Sequence, residues 1–88
     1  MPKFLCTHTV PPKAITLDMV KQISHAAQMD KTVKGQQSFG SLAEGKIACI
    51  FEGPNRQAVA DFFKSKSMPV DSIIAMDFEG ECGNITKL

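Results

Sequence analysis

Two histidines, three cysteines and nine carboxylates are the side chains through which this 88-residue chain could do chemistry. Cys6 and His8 stand two positions apart in the run KFLCTHTV, so on an extended strand they share a face. Cys49 belongs to a second extended run, KIACIFE. Aligned with the first in the simplest register, it brings Cys49 close to Cys6 and puts both thiols near His8. Thiolate and imidazole together suit borderline or soft divalent metals such as nickel, zinc or copper. The competing reading is that buried free cysteines act as small hydrophobes. His25 lies among the polar residues of a helical stretch. As a ligand it needs a second group from a loop or a partner chain; otherwise it is a solvated side chain. Metal binding requires neutral imidazole and deprotonated thiol, so such a site weakens as pH falls. His8, His25 and Cys49 are the candidate metal ligands, with nickel or another divalent transition metal as the ion.

The remaining titratable groups point less clearly to chemistry. Asp77 and Glu79 share a side of an extended run that ends at Glu81, and offer hard ligands, a general base or a solvated strand end. Arg56, the only arginine, opens a helix and reads as a surface residue. There is no nucleophile elbow, no phosphate loop and no Ser/His/Asp arrangement, so no catalytic residue is assigned. Gly53-Pro54-Asn55 is a turn and not a nucleotide cradle.

Composition bounds the function classes. Ten basic against nine acidic residues give a net charge of +1, without the basic stripe that nucleic-acid binders carry. No apolar run approaches the roughly 20 residues of a membrane-spanning helix. The opening Met1-Pro2-Lys3-Phe4-Leu5 lacks the pattern of a signal peptide, so a cytoplasmic location is expected. The cysteines are few, odd in number and widely spaced, unlike a disulfide framework, and no Cys-x-x-Cys is present.

The elements that must position these groups are legible from periodicity. Residues 3–10 read as a strand stopped by Pro11-Pro12. Residues 16–29 read as a helix capped by Thr16, with Val20, Ile23 and Ala27 on its apolar face. Residues 36–42 and 46–52 form two strands around Ala43-Glu44-Gly45, an expected hairpin. Asn55 caps a second helix, from Arg56 to about Lys66, whose apolar stripe is Ala58, Val59, Phe62 and Phe63. Residues 70–79 read as a fourth strand, and residues 81–88 as a flexible tail after a domain spanning 1–80. The order βαββαβ predicts a ferredoxin-like α+β sandwich, both helices on one face, with strands one and three side by side and parallel at its centre.

That arrangement leaves one sheet face bare. Ala48, Ile50 and Glu52 oppose Ile47, Cys49 and Phe51, and neither set is cleanly polar. Two such faces packed together would make a dimeric α+β barrel. A chain this short buries only roughly 60–65% of its unfolded surface, which leaves room for stabilisation by a second copy. A homodimer is therefore expected, with a metal or small molecule as ligand and no nucleic-acid or membrane partner.

The stretches MPKFLCTHTV, SHAAQMDKTVKG and CIFEGPNRQAVADFFKSKSMPVDSII resemble a small bacterial family of ferredoxin-like proteins. Most members are labelled as a domain of unknown function and some as nickel-binding proteins. The resemblance runs from Pro2 to Glu79 and implies the βαββαβ fold, a homodimer and nickel binding. Cys49, Pro54, Pro69 and Asp71 match positions typical of the family, and His25 resembles a histidine of its first helix. Many relatives have another histidine in the second helix, where this chain reads Ala60-Asp61-Phe62-Phe63.

The function expected is a small dimeric protein that binds nickel or a similar metal. The alternative is a cofactor-free enzyme of the dimeric α+β barrel type, a monooxygenase or isomerase acting on a small molecule. An interaction module without chemistry is a third reading, against which the absence of tryptophan and tyrosine argues.

Overall fold

Alternation of large apolar residues with polar or half-buried ones sets the first strand. In β1, Lys3–Thr9, the side chains of Phe4, Cys6 and His8 are buried and those between them are not. The computed structural model describes residues 1–88. After the Pro11-Pro12 break, helix α1 spans Leu17–Met29, and the Thr16 hydroxyl accepts the Met19 N–H at 3.2 Å as its N-cap. β2, Lys34–Ser41, and β3, Lys46–Glu52, form a hairpin. Its turn brings Gly45 to φ +70° against the backbone of Val10, a place where a β-carbon would collide. Helix α2 spans Arg56–Ser65, with the Asn55 side chain accepting the Ala58 N–H at 2.8 Å.

The last segment departs from the expected single strand and tail. β4 covers only Ser72–Ala75. The chain then breaks at Met76-Asp77 and forms a separate hairpin of β5, Phe78–Glu81, and β6, Asn84–Lys87. Residues 81–88, read from sequence as a tail, thus supply the turn and second strand of that hairpin. Cys82 (φ +52°) and Gly83 (φ +83°) form its two-residue turn, the backbone twist that suits tightly joined antiparallel strands. An ion pair from Lys3 Nζ to Glu79 Oε1, at 3.1 Å, fastens the hairpin to β1.

The fold is α+β. Four strands form an antiparallel sheet in the order β2-β3-β1-β4. β1 and β3 are its central pair, as expected, but they run antiparallel. The parallel arrangement read from sequence is corrected by the crossovers: each helix joins strands separated by one gap, and the strand that fills the gap runs the other way. Phe4, Cys6 and His8 of β1 and Ile47, Cys49 and Phe51 of β3 face both helices. They pack on Val59, Phe62 and Phe63 of α2 and Ala27 of α1 to form the core. Phe51 lies 4.8 Å from Phe63 and 5.4 Å from Phe62 between ring centres, tilted geometries that aromatic pairs favour.

The other face carries no helix. The register sets Ile74, Leu5 and Ile50 in one row across β4, β1 and β3, and Ser72, Thr7, Ala48 and Phe39 in the next. Ile74 and Phe39 are more than half exposed.

Candidate thiol–imidazole site and the cavity beside it

His8 is buried, at 1% exposure, and each of its ring nitrogens has a partner. Nδ1 lies 2.8 Å from the Pro69 carbonyl oxygen. A carbonyl only accepts, so Nδ1 carries the hydrogen and donates it. Nε2 is then the lone-pair atom, and it accepts the thiol hydrogen of Cys49, whose Sγ lies 3.4 Å away. The Phe63 ring meets the imidazole edge-on at 4.6 Å. Pro69 belongs to the loop between α2 and β4, so that loop fixes the tautomer of a strand residue. The loop is itself pinned by Asp71 N–H donating to Thr7 O at 2.8 Å and by the Thr9 hydroxyl donating to the Asp71 carboxylate at 2.5 Å.

The electrostatics keep both partners neutral. Burial holds His8 below its ordinary value of 6.5, against the opposing pull of the Pro69 bond and the Asp71 carboxylate. Burial raises Cys49, while a bond from the Ser38 side chain works the other way. Cys6, directly opposite Cys49 in the register, is pushed up to about 12 by burial and by Cys49 itself. At neutral pH the pair is therefore a thiol donating to an imidazole, and not a thiolate–imidazolium.

Of the three expected ligands, the fold brings His8 and Cys49 into contact and leaves His25 exposed on α1. Cys6 joins them on the same face, as the alternation of β1 requires. No group of three or more His, Cys, Asp and Glu side chains stands close enough to hold a metal. The two donors in contact nevertheless have a chelating separation. Bonds of about 2.0 Å to nitrogen and 2.3 Å to sulfur, opened to a tetrahedral angle, set their donor atoms about 3.5 Å apart. The donor chemistry fits a borderline metal, while the donor count is short by at least one.

Beside Cys49 lies a feature the sequence reading did not include: a cavity of about 190 Å³ between α1 and the β2–β3 hairpin. Its cause is local. The inward positions of β2 are Gly35, Ser38 and Gly40, and the two that line the cavity, Gly35 and Ser38, are too small to fill the space under α1. A bulge between Gly35 and Gln37 sets this pattern by shifting the parity of β2. Ile23 and Ala27 of α1 form one wall, Ile47, Cys49 and Phe51 of β3 the floor, and Phe63 one end. The signal in the sequence was the low bulk of KGQQSFG beside a helix carrying Ser24 and Ala27.

Residues 4–76 match a protein family described as nickel responsive protein SCO4226-like. The chain belongs to that family. Among solved structures it is similar to SCO4226 from Streptomyces coelicolor A3(2), with a TM-score of 0.74 and 26% sequence identity. That match covers 89% of this chain and 99% of the other. A search of the curated proteins finds no match. The matched residues run from Phe4, the second residue of β1, through β4 with both helices, and therefore include His8, His25 and Cys49; they stop at Met76, before the β5–β6 hairpin.

Proposed function

We propose that this chain is a cytoplasmic, homodimeric, ferredoxin-like protein that binds nickel or a similar divalent transition metal. The observation that carries the reading is the 3.4 Å contact between His8 Nε2 and Cys49 Sγ, a soft and a borderline donor already in chelating separation. The family's description as nickel responsive supports the choice of metal. Binding would replace the shared thiol hydrogen with the ion, and the missing donors would come from water. His25, exposed on α1, is the candidate for a second and weaker position, completed by water or by a group of the partner copy. The apolar rows on the helix-free face support pairing of two copies through their sheets, which would close a dimeric α+β barrel.

Calorimetric titration of the apo-protein with nickel and with zinc tests the reading. Nickel is expected to release heat, with at least tenfold weaker binding in Cys49→Ser and His8→Ala and a smaller loss in His25→Ala. Because the thiol must give up its proton, affinity should fall by about tenfold for each unit of pH below neutrality. Absence of heat from both metals removes the metal function.

A second reading, a cofactor-free enzyme acting on a small molecule, is favoured by one observation. The cavity places Cys49 in the wall of an apolar space, with the oriented imidazole of His8 in contact with its thiol from behind that wall, a pairing that a nucleophile and its base require.

A further inference from the structure

The cavity under α1 has a chemical character narrower than its shape. No Lys, Arg, His, Asp or Glu lines it. Its deep walls are Ile23, Ala27, Ile47, Phe51 and Phe63, and its polar groups are neutral hydroxyls and amides, among them Ser24 on α1 and Ser38 on β2. Water gains little there, because the apolar walls offer too few partners to satisfy it. Protein interiors are otherwise packed to crystal-like density, so a half-open apolar recess of this size beside a well-filled aromatic core is a feature to be explained. The fold maintains it with two small inward residues on β2, Gly35 and Ser38, and a bulge, and Gln28 of α1 donates its amide hydrogen to the Gly35 carbonyl, tying the helix end to that bulge.

We propose that the cavity is a binding site for a small, uncharged, largely apolar molecule carrying one hydrogen-bonding group. Its capacity follows from comparison. An apolar cavity of roughly 150 Å³ holds benzene, so this one takes a molecule of about eight to ten non-hydrogen atoms. A fused or substituted ring fits between Ile23 and Ala27 on the helix side and Ile47 on the sheet side. Its polar group meets Ser24 or Ser38 at the rim, or Cys49 at the floor. A charged ligand would lose its hydration without meeting an opposite charge. The site gives the enzymatic reading above a substrate class, yet it requires neither turnover nor metal.

Indole is a suitable probe, and the chain has no tryptophan or tyrosine to interfere with its emission. Titration of indole with the full chain, in buffer containing a metal chelator, should shift its emission to the blue with a dissociation constant of about 1 mM or tighter. Ser24→Phe puts a ring at the cavity mouth from an exposed helix position and should weaken binding at least tenfold. Tryptamine, the cationic analogue, should bind at least tenfold more weakly than indole. Amide chemical-shift changes should centre on Ala27, Gly35 and Cys49, a readout that needs no variant to fold. No emission shift up to the solubility of indole overturns the proposal. So do shifts centred on Leu5, Ile50 and Ile74 of the opposite sheet face, or equal affinity for tryptamine. Indole binding without turnover of any small substrate upholds this site while removing the enzymatic reading.

Discussion

His8 is a titratable group enclosed on every side, and that enclosure makes stability depend on pH. Its folded value lies below the ordinary 6.5, so the unfolded chain binds more protons as the medium becomes acid. The contribution of His8 is therefore present above pH 6.5 and is lost as pH falls below it. The thiols act in the opposite sense. Cys6, raised from 9.0 to about 12, favours the folded chain below pH 9 and loses that preference as pH rises toward 12. Stability should peak between the two limbs, near pH 7 to 8.5. Urea midpoints measured from pH 5 to pH 10 check this, and His8→Leu should flatten the acid limb while leaving the alkaline limb in place. An acid limb that survives His8→Leu unchanged would assign the effect to other groups.

At the scale of elements, α2 is held by aromatic packing. Phe63 is 1% exposed and touches the rings of His8, Phe51 and Phe62 at once. Phe63→Ala removes that contact and opens a void next to an existing cavity, so little can collapse into it. The expected cost is about 3–5 kcal/mol, a large part of the total for a domain of this size. Chemical denaturation gives the number directly; a loss below about 1 kcal/mol would mean that α2 repacks freely on the sheet. Because Phe63 also buttresses the imidazole, the same variant should loosen the His8–Cys49 contact. The β2 strand behaves differently. With Gly35, Ser38 and Gly40 inward, it gains little from burial and owes its place to pairing with β3.

On the scale of the whole molecule, the decisive quantity is the apolar surface left on the helix-free face. The row Ile74–Leu5–Ile50 crosses three strands, with Phe39 beside it on the fourth. At roughly 25 cal/mol per Å², covering several hundred Å² of such surface in each chain is worth several kcal/mol. Pairing of two copies is the expected outcome, and Ile50→Lys, at the β3 end of the row, should abolish it. Sedimentation of the wild type should give twice the 9.6 kDa chain mass, and of Ile50→Lys the chain mass alone. A wild type that sediments as a single chain ends the dimer proposal. The β5–β6 hairpin bears on the same surface, since Glu79 grips Lys3 and Glu79, Glu81 and Thr86 line a pocket together with Phe39 and Ile50.

Local chemistry was legible in the sequence wherever a residue acts through its nearest neighbours along the chain. Thr16 and Asn55 cap their helices because a hydroxyl or amide oxygen reaches an N–H three residues on. The faces of β3 follow from strict alternation, and the opposition of Cys6 and Cys49 follows from equal strand lengths set side by side. The split of residues 70–88 into a short strand and a hairpin was hidden, because Cys82 is an uncommon residue at positive φ and gave no turn signal. Only the tertiary structure decided that β1 and β3 run antiparallel, since strand direction depends on which gap each crossover leaves. It alone set the Pro69 carbonyl against His8, joining a backbone group to a side chain 61 positions away. The cavity has the same origin: an absence of bulk becomes a space only when a helix is laid across it.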